Sequence, residues 1–151
     1  MLRARLGDAL KDAMRAKDQR AVSTVRLILA ALKDRDIAAR GKGNADGIGE
    51  PELLSMLQTM IKQRRESIEA YAKGNRPDLV DQEKGEIEII ERFLPRQLDE
   101  TAVRAAIREA IAETGAGGIK DMGKVIAKMK ERHAGQMDFA RASAMVKEAL
   151  S

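Results

Sequence analysis

A helical pattern that is cut once, cleanly, sets the terms for this chain. Ile87, Ile90 and Leu94 fall on one stripe of a helix running through Glu86 to Leu94, and Pro95 follows at once. Proline has no amide hydrogen and drives the preceding residue out of the helical region, so the helix must stop at or before Leu94. Asp99 then offers a side-chain oxygen to the free amides of a new helix beginning at Glu100. Phe93, Leu94 and Leu98 are too apolar for a free linker, so Phe93, Leu94, Pro95 and Leu98 are read as a packed structural joint. The joint divides the chain into a larger helical domain, 1–95, and a smaller one, 96–151.

Both sides of the joint read as helix. The residues are 34% charged and only 2% aromatic, which favours helices and leaves little for a sheet. Leu2, Leu6, Leu10 and Met14 recur every four residues as the stripe of a first helix. A second runs from about Gln19 to Ala39, with Val22, Val25, Leu29 and Leu32 inward and Leu27 and Ile28 broadening the apolar face. The glycines of 41–49 have neither the spacing of a phosphate loop nor a strand before them, and predict a surface loop. Pro51 opens a third helix carrying Leu53, Leu57, Ile61 and Ile68, and Gly74-Asn75 stops it. Pro77-Asp78 opens the fourth. The expected fold is all-α, with long antiparallel hairpins in the first domain. Beyond the joint, three short helices are expected, the sixth from about Asp121 to Arg132 and the seventh over Phe139 to Leu150. So small a core calls for support from the joint or a partner.

The residues exclude most chemistry. Without cysteine there is no thiol nucleophile, disulfide or thiolate metal site. The single histidine, His133, sits in a polar helix end where a cation suits the dipole. Glu83, Glu86, Glu88 and Glu91 do not share one face, and are read as a solvated surface rather than a metal site. No catalytic residue, cofactor site or metal site is predicted. No apolar run approaches the roughly 20 residues that cross a bilayer, and the amphipathic start is unlike an apolar secretory leader. A cytoplasmic protein that does not enter the membrane is the expectation.

Charge is more informative. Residues 1–48 hold 11 Lys/Arg against 6 Asp/Glu, a surplus of five positive charges. Lys62, Arg64 and Arg65 lie on different faces, with acids near enough to pair with them inside the domain. Lys120, Lys124 and Lys128 instead recur every four residues, opposite Met122, Val125, Ile126 and Met129, and Lys130 and Arg132 extend the charge. Such a row is either an ordinary solvated face or a contact for phosphates. With so few aromatics for stacking on single strands, a nucleic-acid partner would be gripped through backbone and shape.

Several separated stretches carry a family likeness. Lys62 to Tyr71, KQRRESIEAY, is followed by Arg76 to Val80, RPDLV, and by Glu88 to Leu98, EIIERFLPRQL. Glu113 to Ala116, ETGA, and Lys120 to Val125, KDMGKV, come later. Together they resemble the YqeY family across essentially the whole chain. That family is similar to the tail of GatB, the B subunit of tRNA-dependent amidotransferase, and a related module is appended to some glutaminyl-tRNA synthetases. The resemblance implies an all-helical protein whose smaller domain touches tRNA or another structured RNA. It makes Lys120, Lys124, Lys128, Lys130 and Arg132 the candidate phosphate contacts, with Gly123 permitting close approach. It also implies two alternatives. One is a helical interaction module that recruits a synthetase or amidotransferase. The other is a subunit that supports amidotransferase chemistry, carbon–nitrogen ligation with glutamine as donor, in trans. Nothing in the chain matches the catalytic cradle of GatB, so an amidotransferase activity would belong to the relatives' assembly.

Overall fold

The computed structural model describes residues 1–151 and consists of seven α-helices with no strands: α1 (Leu2–Arg15), α2 (Gln19–Gly41), α3 (Glu50–Lys73), α4 (Pro77–Glu91), α5 (Glu100–Thr114), α6 (Met122–His133) and α7 (Phe139–Leu150). The chain divides into two compact units, Met1–Leu94 and Pro95–Ser151.

In the first unit α1 packs on α2, α2 on α4, and α3 on α4. Helices α2, α3 and α4 begin where a side chain accepts from a free amide or a proline removes one. Asp18 accepts from Ala21 N at 3.1 Å to cap α2, and Pro51 and Pro77 occupy the first turns of α3 and α4. Leu6, Val25, Ile28, Leu53, Met56, Leu57 and Ile90 are almost fully buried, in a core completed by Leu2, Ile61 and Phe93.

The inward face of α2 holds Val22, Val25 and Leu32 as expected, with Ala21 and Ile28 beside them, but Leu29 is only half-buried and Leu27 is 46% exposed. This helix is apolar on two sides, and only the side carrying Ile28 meets α1 and α4. Towards its end the buried residue is not apolar: Asp36 lies beneath the loop that follows α2 and is 7% exposed. Gly47 in that loop has φ +82°, and a β-carbon there would collide with the Asp36 carboxylate, so glycine is required for both conformation and space.

Glu91 is the last residue of α4, and Arg92 to Leu94 form a closing turn ahead of Pro95. Phe93 is buried in the first unit's core and Leu94 packs against it, whereas Leu98 packs into the second. Of the four joint residues, Phe93 and Leu94 thus belong to one core, Leu98 to the other, and Pro95 to neither.

The second unit is built from α5, α6 and α7, with a single 3-10 turn over Ile119–Asp121 ahead of α6. Asp99 accepts from Ala102 N at 2.8 Å and Asp138 from Ala140 N at 3.0 Å, capping α5 and α7. Val125, Met129 and Val146 are the fully buried residues of a small core shared with Val103, Ile107 and Met137. The start of this unit is tied to the turn between α6 and α7. Leu98 N donates to Gln136 O at 2.9 Å, Gln97 Nε2 to Gly135 O at 2.6 Å, and Gln136 Nε2 to Arg96 O at 3.3 Å.

Candidate functional site

The lysines singled out from the sequence lie on and just before α6, and what places them is the burial of the helix's other side. Val125 and Met129 go into the core, and a step of 100° per residue turns Lys124 outward. Its side chain is 73% exposed and its Nζ stands 3.9 Å from Asp121. Lys128, one turn on, is partly covered and lies 3.9 Å from Glu131. Both contacts are at the limit of an ion pair and span three residues of one helix, an arrangement worth a few tenths of a kcal/mol at most. Each ammonium is therefore available to an anion of higher charge density.

The remaining members of the row are engaged or placed differently. Lys120 is exposed but belongs to the 3-10 turn, ahead of the helix proper. Lys130 sits two residues beyond Lys128, about 200° round the helix, and its Nζ lies 5.9 Å from the centre of the Phe139 ring on α7. Arg132 pairs with Glu113 at the end of α5. Lys124 and Lys128 thus share one edge with Lys120 exposed just ahead of it, while Lys130 faces the Phe139 ring and Arg132, one turn beyond Lys128, is engaged by Glu113. Gly123 is exposed, with open space where a side chain would stand. His133 Nδ1 lies 3.0 Å from Gln136 Oε1, which gives the ring a local partner at the helix end.

Two of the three cations of the α3 cluster are paired within the unit, while Lys62 is exposed and forms no ion pair. Arg64 Nε donates to Glu86 Oε2 at 3.0 Å, with both side chains little exposed, and Arg65 lies 3.7 Å from Glu91. The acids of α4 are accordingly not one solvated face: Glu86 is buried. Burial, then repulsion from Glu86, raises the Glu83 carboxyl above its ordinary range, against an opposing pull from Arg64. No three His, Cys, Asp or Glu side chains are grouped to hold a metal ion, and no helix is long and apolar enough to cross a membrane.

Sequence reasoning missed two features. Asp36 accepts both terminal nitrogens of Arg3 and the amide of Ile48, a site with no signal beyond a carboxylate in an apolar helix. The other is an open groove of about 500 Å³ between α1, the start of α2 and the end of α4. Ala9, Ala13, Ala21, Val25 and Phe93 line it together with Arg5, Asp8, Asp12 and Asp18. Arg5 closes over one end, donating to Arg92 O at 3.0 Å with its guanidinium 5.9 Å from the Phe93 ring centre. The alanines on α1 are what leave the space.

Comparison with known proteins gives several fungal relatives. The chain is 42% identical over 91 residues, 60% of its length and 46% of the relative's, to "Altered inheritance of mitochondria protein 41, mitochondrial" of Lachancea thermotolerans. It is 40% identical over 85 residues, 56% of its length and 44% of the relative's, to the protein of that name from Saccharomyces cerevisiae. For the Kluyveromyces lactis protein the figures are 34% over 108 residues, 72% and 53%. The chain spans about half the length of these relatives. Their names overturn the expectation of a cytoplasmic protein. That expectation rested on a cysteine-free composition and the lack of an apolar leader, and neither separates the cytosol from an organelle's interior. Organelle transit segments are amphipathic and arginine-rich rather than apolar. A family model described as Yqey-like protein matches residues 3–150. With essentially its whole length matched, the chain belongs to the YqeY family.

Proposed function

We propose that the protein is a non-catalytic accessory module that binds tRNA or another structured RNA through the Lys120–Lys124–Lys128 edge of its second unit. The observation that carries this reading is the pairing of Lys124 and Lys128. They sit one turn apart on a helix whose opposite side is locked into a core, and only contacts at the ion-pair limit engage them. A rigid helix with neighbouring ammonium groups suits two phosphates of a folded RNA backbone. The fewness of aromatic residues argues against a single-stranded ligand held by stacking. Lys130 and Arg132 contribute positive potential rather than direct contacts. A few phosphate contacts give weak binding that fades steeply with salt.

Titration of total tRNA at two salt concentrations, with mixed duplex DNA as competitor, tests the reading. Salt-sensitive binding that DNA does not displace is expected, and K124E/K128E weakens it while leaving the helical signal unchanged. Absence of binding at low salt, or binding indifferent to the double change, removes the proposed surface.

The groove of the first unit favours a second reading, a helical module that recruits a protein such as a synthetase or amidotransferase. Its mixed lining, apolar at Ala9, Ala13, Ala21, Val25 and Phe93 and charged at Asp8, Asp12, Asp18, Arg5 and Arg92, suits the amphipathic face of another protein's helix. Under this reading one protein partner survives nuclease treatment in a pull-down, and K124E/K128E has no effect. Support of amidotransferase chemistry in trans is the narrower version, in which adding the protein speeds amidation by a separate catalytic complex.

A further inference from the structure

We infer that the RNA-binding reading extends to a second phosphate-binding edge, in the first unit, formed by Arg26, Lys33 and Arg40 of α2; this inference rests on that reading. The three residues are seven apart, and seven residues turn a helix by two revolutions less about 20°. They therefore follow a single edge, with about 10.5 Å of rise between neighbours and about 21 Å from first to last. All three are exposed.

The edge is fixed by what lies on the rest of the helix. Ala21, Val25, Ile28 and Leu32 hold one side of α2 in the core, leaving Arg26 and Lys33 on its outward flank. Neither makes an ion pair, in contrast to Arg64, Arg65 and Arg132, whose charges are engaged by glutamates. Arg40 donates its Nε to Ala45 O at 3.2 Å and its charge acts on Asp36 one turn back, but it forms no ion pair and its terminal nitrogens can fork a phosphate. Two acids share this half of the helix. Asp36 is neutralised by Arg3, and Asp34 is turned about 100° from Lys33. Three of the eleven Lys/Arg of residues 1–48 thus lie along one edge of α2, none of them in an ion pair. Its 10.5 Å spacing exceeds that of successive phosphates on one strand, which suits contacts that bridge a groove of duplex RNA and read its shape.

The test is the salt dependence of total-tRNA binding by the full chain, compared among the wild type, R26Q/K33Q/R40Q, the charge-keeping R26K/K33R/R40K, and K124Q/K128Q. Loss of three phosphate contacts makes the slope of log affinity against log salt shallower by about 2–3 and weakens low-salt binding at least about tenfold. The charge-keeping variant restores both. Circular dichroism of each variant establishes that it is folded. If the wild type binds with a slope that K124Q/K128Q lowers and R26Q/K33Q/R40Q does not, the α2 edge is overturned while the RNA reading stands. If the wild type does not bind at all, the RNA reading itself has failed and the α2 edge falls with it.

Discussion

Arg3 and Asp36 fasten the first turn of α1 to the last turns of α2. Arg3 Nη1 and Nη2 donate to Asp36 Oδ2 and Oδ1 at 2.8 and 2.7 Å, and Arg3 also donates to Ile48 O. Ile48 N donates to Asp36 Oδ1 at 2.9 Å. The Arg3 guanidinium first, and the Ile48 amide second, hold the Asp36 carboxyl far below the usual carboxylate range. On acidification the unfolded chain takes up this proton first, near pH 4. The pair's contribution is therefore complete above that pH and drains away below it. Asp36→Asn should cost about 1–3 kcal/mol at neutral pH and flatten the fall of melting temperature between about pH 5 and pH 3. Thermal melts at pH 7, 5 and 3 check this; an unaltered acid profile in the variant would assign the acid sensitivity elsewhere.

Gly47 is held to the same carboxylate. Its φ of +82° is unfavourable for other residues, and an added β-carbon would occupy the space of Asp36. Gly47→Ala should destabilise by about 1–3 kcal/mol, whereas Gly43→Ala, with φ +94° but open space around it, should cost less. Urea unfolding of the two variants separates strain from collision. Equal losses would mean that the loop moves off Asp36 at no cost.

The difference between Asp36 and Pro95 explains how far the sequence could be read. Pro95 and Asp99 act on their immediate neighbours through the backbone, so the end of α4 and the start of α5 are legible from residue chemistry alone. Arg3 and Asp36 are partners across 33 residues, and no local pattern records that pairing. Leu27 is a failure of another kind: α2 carries apolar side chains on two sides, and periodicity cannot say which of them the neighbouring helices cover. The lysine row was legible in part, because a four-residue spacing keeps Lys124 and Lys128 together. Lys130 looks continuous with it in one dimension, but its position round α6 turns it to Phe139, and Arg132 keeps the spacing but is engaged by Glu113 on α5, a partner no local pattern records.

Adjacent acids on α4 should respond to substitution with opposite signs. Glu86→Ala strands Arg64, whose side chain is only 13% exposed, and an uncompensated charge of this kind costs about 3–5 kcal/mol. Glu83 carries a raised carboxyl because burial and Glu86 both oppose its ionisation. The unfolded chain loses this proton at lower pH than the folded one, so ionised Glu83 weighs against folding once pH has passed its folded value. Glu83→Gln should therefore raise the melting temperature modestly at pH 7 and leave it unchanged near pH 3. A fall at pH 7 would show that the contact with Arg64 outweighs burial.

Met129 and Lys124 are five residues apart on α6 and separate packing from binding. Met129 is 1% exposed in the core of the second unit, and Met129→Ala should cost about 2–5 kcal/mol, a large share of what so small a core supplies. Lys124→Glu, on the exposed side, should change stability by less than about 0.5 kcal/mol. If the lysine edge binds RNA, Lys124→Glu weakens tRNA binding at every temperature at which the wild type is folded. Met129→Ala instead weakens it only as the second unit melts, so that cooling restores it. Binding isotherms at 10 and 30 °C, beside circular-dichroism melts, discriminate between the two. Equal loss in both variants at 10 °C, with both still helical, would show that RNA contact depends on the packing of α6 and not on the charge it carries.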